Sequence, residues 1–502
     1  MWNILEYLEK TEMMYPHHTA VDDGKFVFTW RELGEISRKM GTAFAKRISP
    51  GKPVAILAEK RAITLAAMFG SIYAGGFYVV IDPSQPAKRI QEILNVLEPE
   101  LIVINETTEE ILKQTDYKGD TYRIEIGMLE REDWELLRGI RERSKDTDIL
   151  YGIFTSGSTG TPKGIVVSHR AAIDFISHFA RIFDFTVYDK IGNQAPFDFD
   201  VSVKDIYTSM FTGATLVLLP KEIFSTPPVL LDYLCEKEVT VLIWAVSALS
   251  LVAVLKGLSY KIPHTVKKIL FSGEVMPVKQ LRMWQSALPW AEFVNLYGPT
   301  EVTCNCTYYR VEEMIPDGEK IPIGRAFPGR KVFLLDENEK EITAFGEIGE
   351  ICVSGESLSE GYYHNAEETK KKFILYPKNG EGQSRCYKTG DLGYYGKDGE
   401  LYFSGRKDFQ IKHMGHRIEL EEIECVMEQI SGLDRAVCLM DEKRNRLVAF
   451  YLGNINADEI KEKMKHKLPV YMIPHKIVKT DSMPLNKNGK TDRGFFRQKL
   501  GE

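Results

Sequence analysis

The sequence predicts an α/β protein in which a large N-terminal region holds two mainly parallel sheets and a small β lobe. Three observations support this fold class. Apolar β-type runs alternate with helical patterns between residues 52 and 105, and the same rhythm returns between residues 214 and 271. After residue 320 the pattern changes to short strands separated by glycine turns. Alternating strands and helices indicate parallel sheets, whereas short strands joined by turns indicate a β-rich lobe.

The individual strands are predicted from short apolar runs bounded by turn residues. The first group brackets an Ala-rich helical pattern at Leu65–Phe69, and its last strand follows a helix that begins near Pro86. The polar stretch 106–146 is predicted to be a solvated excursion. The strands predicted for the parallel sheets are Pro53–Leu57, Phe77–Ile81, Leu101–Ile104, Ala214–Leu219, Thr240–Trp244 and Lys268–Phe271, and those of the lobe are Lys331–Leu335, Gly349–Val353 and Glu400–Phe403.

A domain boundary is predicted at Asp408. The segment Gly405–Phe409 precedes a charged helix at Leu420–Met427, and a compact βα pattern continues to the end. A chain of 502 residues is also too long for one ordinary core. We therefore divide the chain into an N-terminal domain, residues 1–407, and a small α+β C-terminal domain, residues 408–502.

The composition excludes several classes of partner. A net charge of −6 and a pI of about 6.0 provide no basic footprint for nucleic acid. No stretch has the length and apolar character of a membrane span, and the partly acidic N-terminus does not look like a signal peptide. Seven cysteines without a C-x-x-C pair argue against disulfides and against a metal site at Cys304 and Cys306. We therefore expect a cytoplasmic protein.

A run rich in glycine and hydroxyl groups follows the apolar stretch Ile149–Phe154. Glycines let backbone N–H groups approach an anion, hydroxyls add donors, and Lys163 adds a positive charge. The run lacks the spacing of a P-loop, and in isolation it is more typical of a flexible surface turn. The residues predicted to handle phosphate are Thr155, Ser156, Gly157, Ser158, Thr159, Gly160 and Lys163.

Four further motifs carry groups suited to nucleotide chemistry. In 295–301 a Gly–Pro turn precedes Thr300 and Glu301, a hydroxyl and a carboxylate that suit a nucleotide-bound Mg²⁺. Asp391 follows a glycine in 387–391 and is placed to accept hydrogen bonds from ribose hydroxyls. Alone, either motif is equally typical of an Asx-type turn. The remaining two motifs are the segments 405–420 and 484–493, and the second presents Lys490 in a polar turn.

In this order the five motifs resemble those of the adenylate-forming superfamily of acyl-CoA synthetases, luciferases and nonribosomal-peptide adenylation domains. The resemblance extends from 28–33 and 74–83 to 488–490. It implies a mobile C-terminal domain hinged at Asp408 and two half-reactions. In the first, a carboxylate attacks the α-phosphorus of ATP and pyrophosphate leaves. In the second, a thiol displaces AMP and a thioester forms.

The resemblance also implies roles for the motif residues. Residues 155–163 would hold the β- and γ-phosphates, and Thr300 and Glu301 the α-phosphate and Mg²⁺, with Glu301 as metal ligand. Lys490 would place a positive charge beside the reacting carboxylate and the α-phosphate. Lys412 would line the path of the thiol after the C-terminal domain turns. The other residues expected at the nucleotide are Gly273, Glu274, Asn295, Tyr297 against the adenine, and Asp391 and Arg406 at the ribose.

The segment 196–202 indicates which acid is activated. It matches the superfamily's segment in which an aspartate meets a substrate ammonium group, and the match falls on Asp200. Because an unpaired buried carboxylate is unfavourable, Asp200 favours an amino acid over a fatty or aryl acid. An exposed aspartate in a turn is the alternative. By analogy with adenylation domains, the substrate pocket comprises Asp200, Val201, Lys204, Ala245, Leu270, Ser272, Leu296, Cys304, Asn305 and Lys490.

Segments 192–197, 272–278 and 405–412 look like those of D-alanine:D-alanyl carrier protein ligases, but the pocket departs from them. Ser272 replaces a cysteine, and Lys204 replaces an apolar residue. Their donors and those of Asn305 favour a substrate with a polar or acidic side chain. Alternatively, Lys204 extends outward to solvent and the pocket stays small and apolar.

The leading hypothesis is an amino acid–carrier protein ligase that uses ATP and Mg²⁺ and has a phosphopantetheinyl carrier protein as acceptor. A freestanding adenylation enzyme for a polar or acidic amino acid, and an acyl-CoA synthetase with coenzyme A as acceptor, are the alternatives. A ligand-binding relative without activity would have lost Lys490, Asp391 or the phosphate loop, and all three are present.

Overall fold

The structure is a computed structural model that describes residues 2–125, 127, 129–155, 162–316, 318–377, 382–484 and 491–501. Within these ranges no helix is long and apolar enough to cross a membrane. Short 3-10 helices lie at Lys221–Ser225, Thr300–Val302 and Val470–Met472. The α-helices are α1 (Leu5–Met14), α2 (Trp30–Ala45), α3 (Ala62–Tyr73), α4 (Ala87–Leu97), α5 (Glu109–Leu112), α6 (Trp134–Arg141), α7 (His169–Ile182), α8 (Val201–Thr212), α9 (Pro227–Glu236), α10 (Val246–Val254), α11 (Gly257–Tyr260), α12 (Val278–Ala287), α13 (Ala366–Lys372), α14 (Leu420–Glu428), α15 (Ala457–Lys465) and α16 (Arg493–Gly501).

The strands are short, and many alternate with helices along the chain. They are β1 (Thr19–Asp22), β2 (Val27–Thr29), β3 (Pro53–Leu57), β4 (Phe77–Ile81), β5 (Leu101–Ile104), β6 (Asp120–Arg123), β7 (Ile149–Thr155), β8 (Lys163–Ser168), β9 (Lys190–Asn193), β10 (Thr215–Leu218), β11 (Val241–Ala245), β12 (Lys268–Ser272), β13 (Glu292–Tyr297), β14 (Thr307–Arg310), β15 (Arg325–Ala326), β16 (Arg330–Leu335), β17 (Glu341–Ile342), β18 (Gly349–Gly355), β19 (Gly361–Tyr362), β20 (Phe373–Tyr376), β21 (Ser384–Tyr395), β22 (Leu401–Arg406), β23 (Gln410–His413), β24 (His416–Glu419), β25 (Leu433–Asp441), β26 (Arg446–Gly453) and β27 (Lys476–Lys479).

Two mainly parallel sheets form the large region. Sheet 1 has the order β15-β14-β13-β12-β11-β9-β10-β1-β2, and sheet 2 has the order β19-β8-β7-β4-β3-β5-β6. The strands from β13 to β1 in sheet 1 and from β7 to β6 in sheet 2 are parallel neighbours. Antiparallel strands extend sheet 1 at both edges and sheet 2 at one. The predicted pair of mainly parallel sheets is confirmed.

The hydrophobic core connects the two sheets. One cluster includes Val54 and Ile56 from sheet 2, Ile243 from sheet 1, and apolar faces of α1, α2, α3, α7 and α8. The alternate residues of β3, Ala55 and Leu57, belong to a different cluster. Side chains alternate between the two faces of a strand, so the two clusters show that β3 is buried on both faces. A strand buried on both faces has a continuous apolar sequence.

The β lobe and the C-terminal region follow the large sheets. The lobe is antiparallel, with the order β17-β16-β18-β21-β20 and with β22 paired to β21. Its last strand ends at Arg406, and β23 begins at Gln410. Strands β23 and β24 form a hairpin, and β25, β26 and β27 form a sheet that shares a hydrophobic cluster with α14 and α15. The predicted α/β class, with a β lobe and a small α+β region, is confirmed.

The stretch 106–146 is more ordered than the sequence predicts. It contains α5, β6 and α6, and β6 pairs in parallel with β5 at the edge of sheet 2. Leu137 and Ile140 of α6 are buried. The prediction of a solvated excursion is wrong for these elements. Strand β6 is not predicted from the sequence because it lies at an edge, exposes most of its side chains and has no apolar alternation.

A buried histidine at the start of α7 predicts acid sensitivity. The Ile4 backbone N–H donates to Nδ1 of His169 at 3.1 Å, so that nitrogen carries no proton. Burial lowers the pKa of His169 to about 3, whereas an unfolded histidine titrates near ~6.5. The unfolded chain therefore takes up the proton first. As the pH falls from about 6.5, this residue should lower the free energy of unfolding by up to about 1.4 kcal/mol per pH unit.

The matched variant is His169→Asn, whose amide oxygen can still accept the Ile4 hydrogen bond. Urea unfolding at pH 7, 6 and 5 should show a smaller loss of stability in the variant than in the parent. Equal slopes for the two proteins would contradict the assignment.

Candidate active site

The carboxylate of Glu301 lies at the centre of the candidate site. It is buried in the short 3-10 helix that follows β13. Tyr362 Oη donates to Glu301 Oε1 at 2.8 Å, and Arg417 Nη1 lies 2.9 and 2.7 Å from the two carboxylate oxygens. Burial alone would raise the pKa of Glu301, but the Arg417 charge and the Tyr362 and Tyr387 hydroxyls lower it to about 2. Glu301 is therefore ionised at neutral pH.

Arg417 reaches Glu301 from the hairpin β23–β24. It is the cross-strand partner of Lys412, so the two cationic side chains share one face of the hairpin. Like charges in this position repel each other, but here the face lies against carboxylates. Burial lowers the pKa of Lys412, and the negative charges of Asp391 and Asp200 oppose that shift. The hairpin thus brings two positive charges into an acidic site.

Two further contacts hold the C-terminal region against the large region. The Gly415 N–H, at the tip of the hairpin, donates to Glu274 Oε1 at 2.7 Å. Arg89 Nη1 of α4 lies 2.7 Å from Glu422 Oε1 of α14, and both side chains are nearly fully buried. The structure therefore has the Lys412 face of the C-terminal region turned toward the site.

Asp391 anchors a chain of hydrogen bonds at the boundary between the two regions. Tyr297 Oη donates to Asp391 Oδ2 at 2.6 Å, and Arg406 donates to Asp391 Oδ1. Arg406 also donates to Asp408 through Nε at 2.6 Å and Nη2 at 2.8 Å. Burial would raise the pKa of Asp408, but Arg406 lowers it. The residues predicted for adenine, ribose and the hinge are therefore adjacent.

A cavity of about 220 Å³ lies beside Glu301 and the hairpin. Its lining includes Thr155 at the end of β7, Lys163 at the start of β8, and Arg417. Lys163 Nζ lies 3.2 Å from Glu368 Oε1. The flanks of the predicted phosphate loop therefore share a cavity with the predicted metal ligand. The other predicted residues of that loop, Ser156, Gly157, Ser158, Thr159 and Gly160, lie outside the described residues, as does Lys490.

Asp200 is buried immediately before α8. Burial raises the pKa of its carboxyl group, whereas a hydrogen bond from Thr300 and the charges of Lys204 and Lys412 oppose that shift. The Cys304 thiol donates to the backbone carbonyl of Asp200 at 3.2 Å. The alternative of an exposed aspartate in a turn is therefore wrong.

Lys204 points into the protein. Its exposed fraction is 1%, and its Nζ donates to Asn305 Oδ1 at 2.8 Å and to Ser272 Oγ at 3.2 Å. Burial lowers the pKa of Lys204, while the nearby Cys304, Asp200 and Asp205 oppose the shift. The alternative in which Lys204 extends outward to solvent is therefore wrong, and three predicted pocket residues form one hydrogen-bonded group.

The remaining predicted residues are distributed around these groups. The Nδ2 atom of Asn295 donates to the carbonyl of Pro322, shortly before β15, at 2.8 Å. Gly273 follows β12 with φ of +100°, a conformation that favours glycine. Leu270 and Leu296 belong to the core between the sheets rather than to a polar surface. The predicted pocket residues that are buried and apolar are Val201, Ala245, Leu270 and Leu296.

The backbone is strained where it passes the pocket. Thr303 and Cys304 have φ of +59° and +70°, in the left-handed region that is costly for residues with a Cβ. At Gly298 a Cβ would lie 2.5 Å from the Cα of Asn305, so the chain can approach this closely only with glycine. Such strain is typical of functional sites. Here it fixes the position of Asn305 next to Lys204.

Arg417, Tyr362 and the Arg89–Glu422 pair are not among the residues predicted from the sequence. Arg417 lies inside the motif 405–420, but its partner Glu301 is 116 residues away. The sequence does contain a hint of the position of Arg417. Met414 and Gly415 form the turn of a hairpin, which places residues 412 and 417 opposite each other. Tyr362 lies in no motif and gave no such signal.

The fold and the site define an α/β protein with two mainly parallel sheets, a β lobe and an acidic site that a C-terminal hairpin contacts. A family profile described as AMP-binding enzyme matches residues 8–363. Bacitracin synthase 1 from Bacillus licheniformis is 35% identical over 496 residues, which is 97% of this chain and 9% of that protein. The D-alanine--D-alanyl carrier protein ligase of Listeria monocytogenes is 33% identical over 514 residues, covering 100% of this chain and 99% of the ligase. The chain belongs to the AMP-binding enzyme family.

A solved structure has the same fold as this chain. The crystal structure of IdnL1 has a TM-score of 0.82 and 27% identity to this chain, and it covers 96% of this chain and 98% of its own. The chain spans less than a tenth of bacitracin synthase 1 but nearly all of the carrier protein ligase. Sequences similar to this chain therefore form a small part of a much longer synthase and nearly the whole of a ligase of similar length.

Proposed function

We propose that the chain is an AMP-forming amino acid–carrier protein ligase. The observation that carries this proposal is the buried carboxylate of Asp200 beside Thr300 and Glu301. A buried carboxylate attracts cations, and the α-ammonium group of an amino acid would join Lys204 and Lys412 as a positive charge near Asp200. The similarity to a named carrier protein ligase over the whole chain supports the same reaction.

In the first half-reaction, a carboxylate oxygen of the amino acid attacks the α-phosphorus of ATP. The bond from that phosphorus to the bridging oxygen breaks, and pyrophosphate leaves with the electron pair. Thr155, Lys163 and the rest of their loop hold the β- and γ-phosphates, and Thr300 holds the α-phosphate. Asp391, positioned by Tyr297 and Arg406, accepts from the ribose hydroxyls. Lys490 neutralises the charge that gathers between the reacting groups.

The carboxylate of Glu301 is a suitable ligand for Mg²⁺, but its oxygens are not available to an ion while Arg417 is bound to them. Hard cations prefer carboxylate and hydroxyl oxygens, and Glu301 is ionised next to Thr300. Arg417, however, occupies both of its oxygens. We infer that Glu301 holds Mg²⁺ when the hairpin is withdrawn. Bound there, the ion would offset the negative charge of the phosphates.

In the second half-reaction, the sulfur of a phosphopantetheine thiolate attacks the acyl carbon, and AMP leaves as the bond between that carbon and the phosphate oxygen breaks. Lys412 lines the path of the thiol from the inserted hairpin. The arrangement of β23–β24 in this structure is the one expected for this step. Coenzyme A is the alternative acceptor. We also propose a cytoplasmic location, which the seven free cysteines support.

The test is ATP–pyrophosphate exchange with both enantiomers of the common amino acids, with fatty and aryl acids as controls. Phosphopantetheine, coenzyme A and a phosphopantetheinylated D-alanyl carrier protein then serve as acceptors. Exchange that depends on an amino acid, and that Lys490→Ala abolishes while ATP still binds, is the expected result. Exchange only with fatty or aryl acids would contradict the proposal.

The proposed hinge at Asp408 has its own matched test. Asp408→Ala and Asp408→Pro both remove the carboxylate that binds Arg406, but only proline restricts φ. We expect both variants to keep pyrophosphate exchange within about threefold of each other. Thioester formation should be at least ~10-fold slower in Asp408→Pro, because the C-terminal region must turn between the steps. Equal thioester rates would place the hinge elsewhere.

A further inference from the structure

We propose that the activated amino acid carries a carboxylate in its side chain and that Lys204 binds this carboxylate. The inference rests on the proposed function and specifies its substrate class. It follows from the placement of one buried cation and one buried anion in the same pocket. Both lie at the start of α8, at Asp200 and one helical turn later at Lys204.

The contacts of Lys204 are those of a cation held in place by neutral groups. Nζ has donors for three hydrogen bonds, and it donates to the amide oxygen of Asn305 and to the hydroxyl of Ser272. Neither acceptor carries a charge. Asn305 is in turn fixed by the strained backbone beside Gly298. The ammonium group is therefore positioned, but these contacts do not balance its charge.

The carboxylates near Lys204 are Asp200 and Asp205. Asp205 is not one of the predicted pocket residues, and it accepts from Asn193 Nδ2 at 2.7 Å. Burial raises the pKa of Asp205 to about 7, although the hydrogen bond from Asn193 and the charges of Lys204 and Lys60 oppose that shift. Asp200 therefore remains as the anion within the predicted pocket. Without substrate, Asp200 and Lys204 offset each other's charge.

Binding of an amino acid changes that balance. The α-ammonium group takes Asp200 as its partner, and the α-carboxylate is directed to the α-phosphorus of ATP. With a neutral side chain, Asp205 is then the nearby carboxylate left to Lys204, and its raised pKa makes it a weak counter-ion at neutral pH. A poorly compensated charge in a buried place is unfavourable. A side-chain carboxylate restores the balance, a side-chain amide supplies an acceptor without a charge, and a side-chain amine repels Lys204. The expected order of preference is acid, then amide, then amine.

The rest of the pocket is consistent with an acidic side chain that has an apolar stem. The predicted pocket residues Val201 and Ala245 are buried and apolar, and they suit methylene groups. The Cys304 thiol already donates to the Asp200 carbonyl. Among the described residues, two cationic groups act on Asp200, namely Lys204 and Lys412. Lys412 belongs to the hairpin, so Lys204 is the one that belongs to the predicted pocket.

The experiment compares kcat/KM for pyrophosphate exchange among aspartate, glutamate, asparagine, glutamine and alanine, using both enantiomers. In the parent enzyme we expect one acidic amino acid to exceed its own amide by at least 100-fold. Lys204→Met keeps the length of the side chain and removes the charge. We expect this variant to lower the acid-to-amide ratio by at least 100-fold. The ratio within one variant does not depend on the fraction of enzyme that is folded.

Lys237→Met is the matched control. Lys237 is a half-buried lysine at the end of α9, whose Nζ donates to Asp22 Oδ2 at 2.9 Å. Its replacement should leave the acid-to-amide ratio unchanged. Preference of the parent for alanine or another neutral amino acid, or an unchanged ratio in Lys204→Met, would overturn the inference and leave the proposed function intact. Absence of exchange with every amino acid would overturn both.

Discussion

Replacing Arg417 with methionine is expected to slow thioester formation about 100-fold while pyrophosphate exchange stays within about threefold of the parent. In the structure Arg417 binds both oxygens of Glu301, and both side chains are largely buried. Removing one partner of a buried ion pair typically costs ~3–5 kcal/mol. With the hairpin withdrawn, Glu301 meets water or Mg²⁺ instead, so the variant destabilises the inserted arrangement alone. A shift of about 2.7 kcal/mol in that equilibrium corresponds to ~100-fold in population.

The measurement separates the two half-reactions. Pyrophosphate exchange reports the first step, and transfer of the activated amino acid to phosphopantetheine reports the second. Arg444→Met is a suitable control, because Arg444 lies in the same C-terminal region, is 61% exposed and pairs with Asp441. That variant should leave both rates unchanged. An equal loss of both rates in Arg417→Met would show that Arg417 has no role specific to the inserted hairpin.

Replacing Glu301 with glutamine is expected to slow pyrophosphate exchange by ~10²–10³-fold. Glutamine has the shape of glutamate but lacks the charge that a hard cation requires. Loss of one electrostatic contact to a charged transition state typically costs ~2.7–4 kcal/mol. The Mg²⁺ concentration needed for half-maximal exchange should also rise. This second observation does not depend on how much of the variant is folded.

Glu132→Gln provides the control for the Glu301 variant. Glu132 is also partly buried and bound to an arginine, because its Oε1 lies 2.9 Å from Arg38 Nε. It lies far from the candidate site in sequence and belongs to none of its groups. The control should bind Mg²⁺ and ATP as the parent does. An unchanged requirement for Mg²⁺ in Glu301→Gln would assign the metal to another ligand.

The sheets could be predicted from sequence because their signal is local. Strands β3, β4 and β5 are short apolar runs whose lengths and boundaries coincide with the predicted ones. Strand β6 could not be found this way, since an edge strand with polar side chains leaves no apolar period. Its existence depends on the neighbouring β5, which supplies the hydrogen bonds.

The site was predicted in part, and its missing parts depend on tertiary contacts. Asp200, Glu301 and Asp391 were found because each lies in a short motif. The direction of Lys204 could not be predicted, because α8 is buried on all sides along residues 201–210 and so has no polar face to mark an exterior. The Arg417–Glu301 pair arises only when the hairpin meets the large region, and no local pattern encodes that contact.

The pairing of Arg417 with Glu301 has a consequence for the direction of the reaction. Glu301 would hold Mg²⁺ through the same carboxylate oxygens that Arg417 binds, so the hairpin can pair with Glu301 only when no ion is bound there. Once Arg417 occupies that carboxylate, returning pyrophosphate would lack the Mg²⁺ that Glu301 would otherwise hold, and reversion of the adenylate to ATP would be disfavoured. The ion pair would then favour the forward direction. After pyrophosphate has left, transfer of the activated amino acid to the thiol would be faster than its return to ATP.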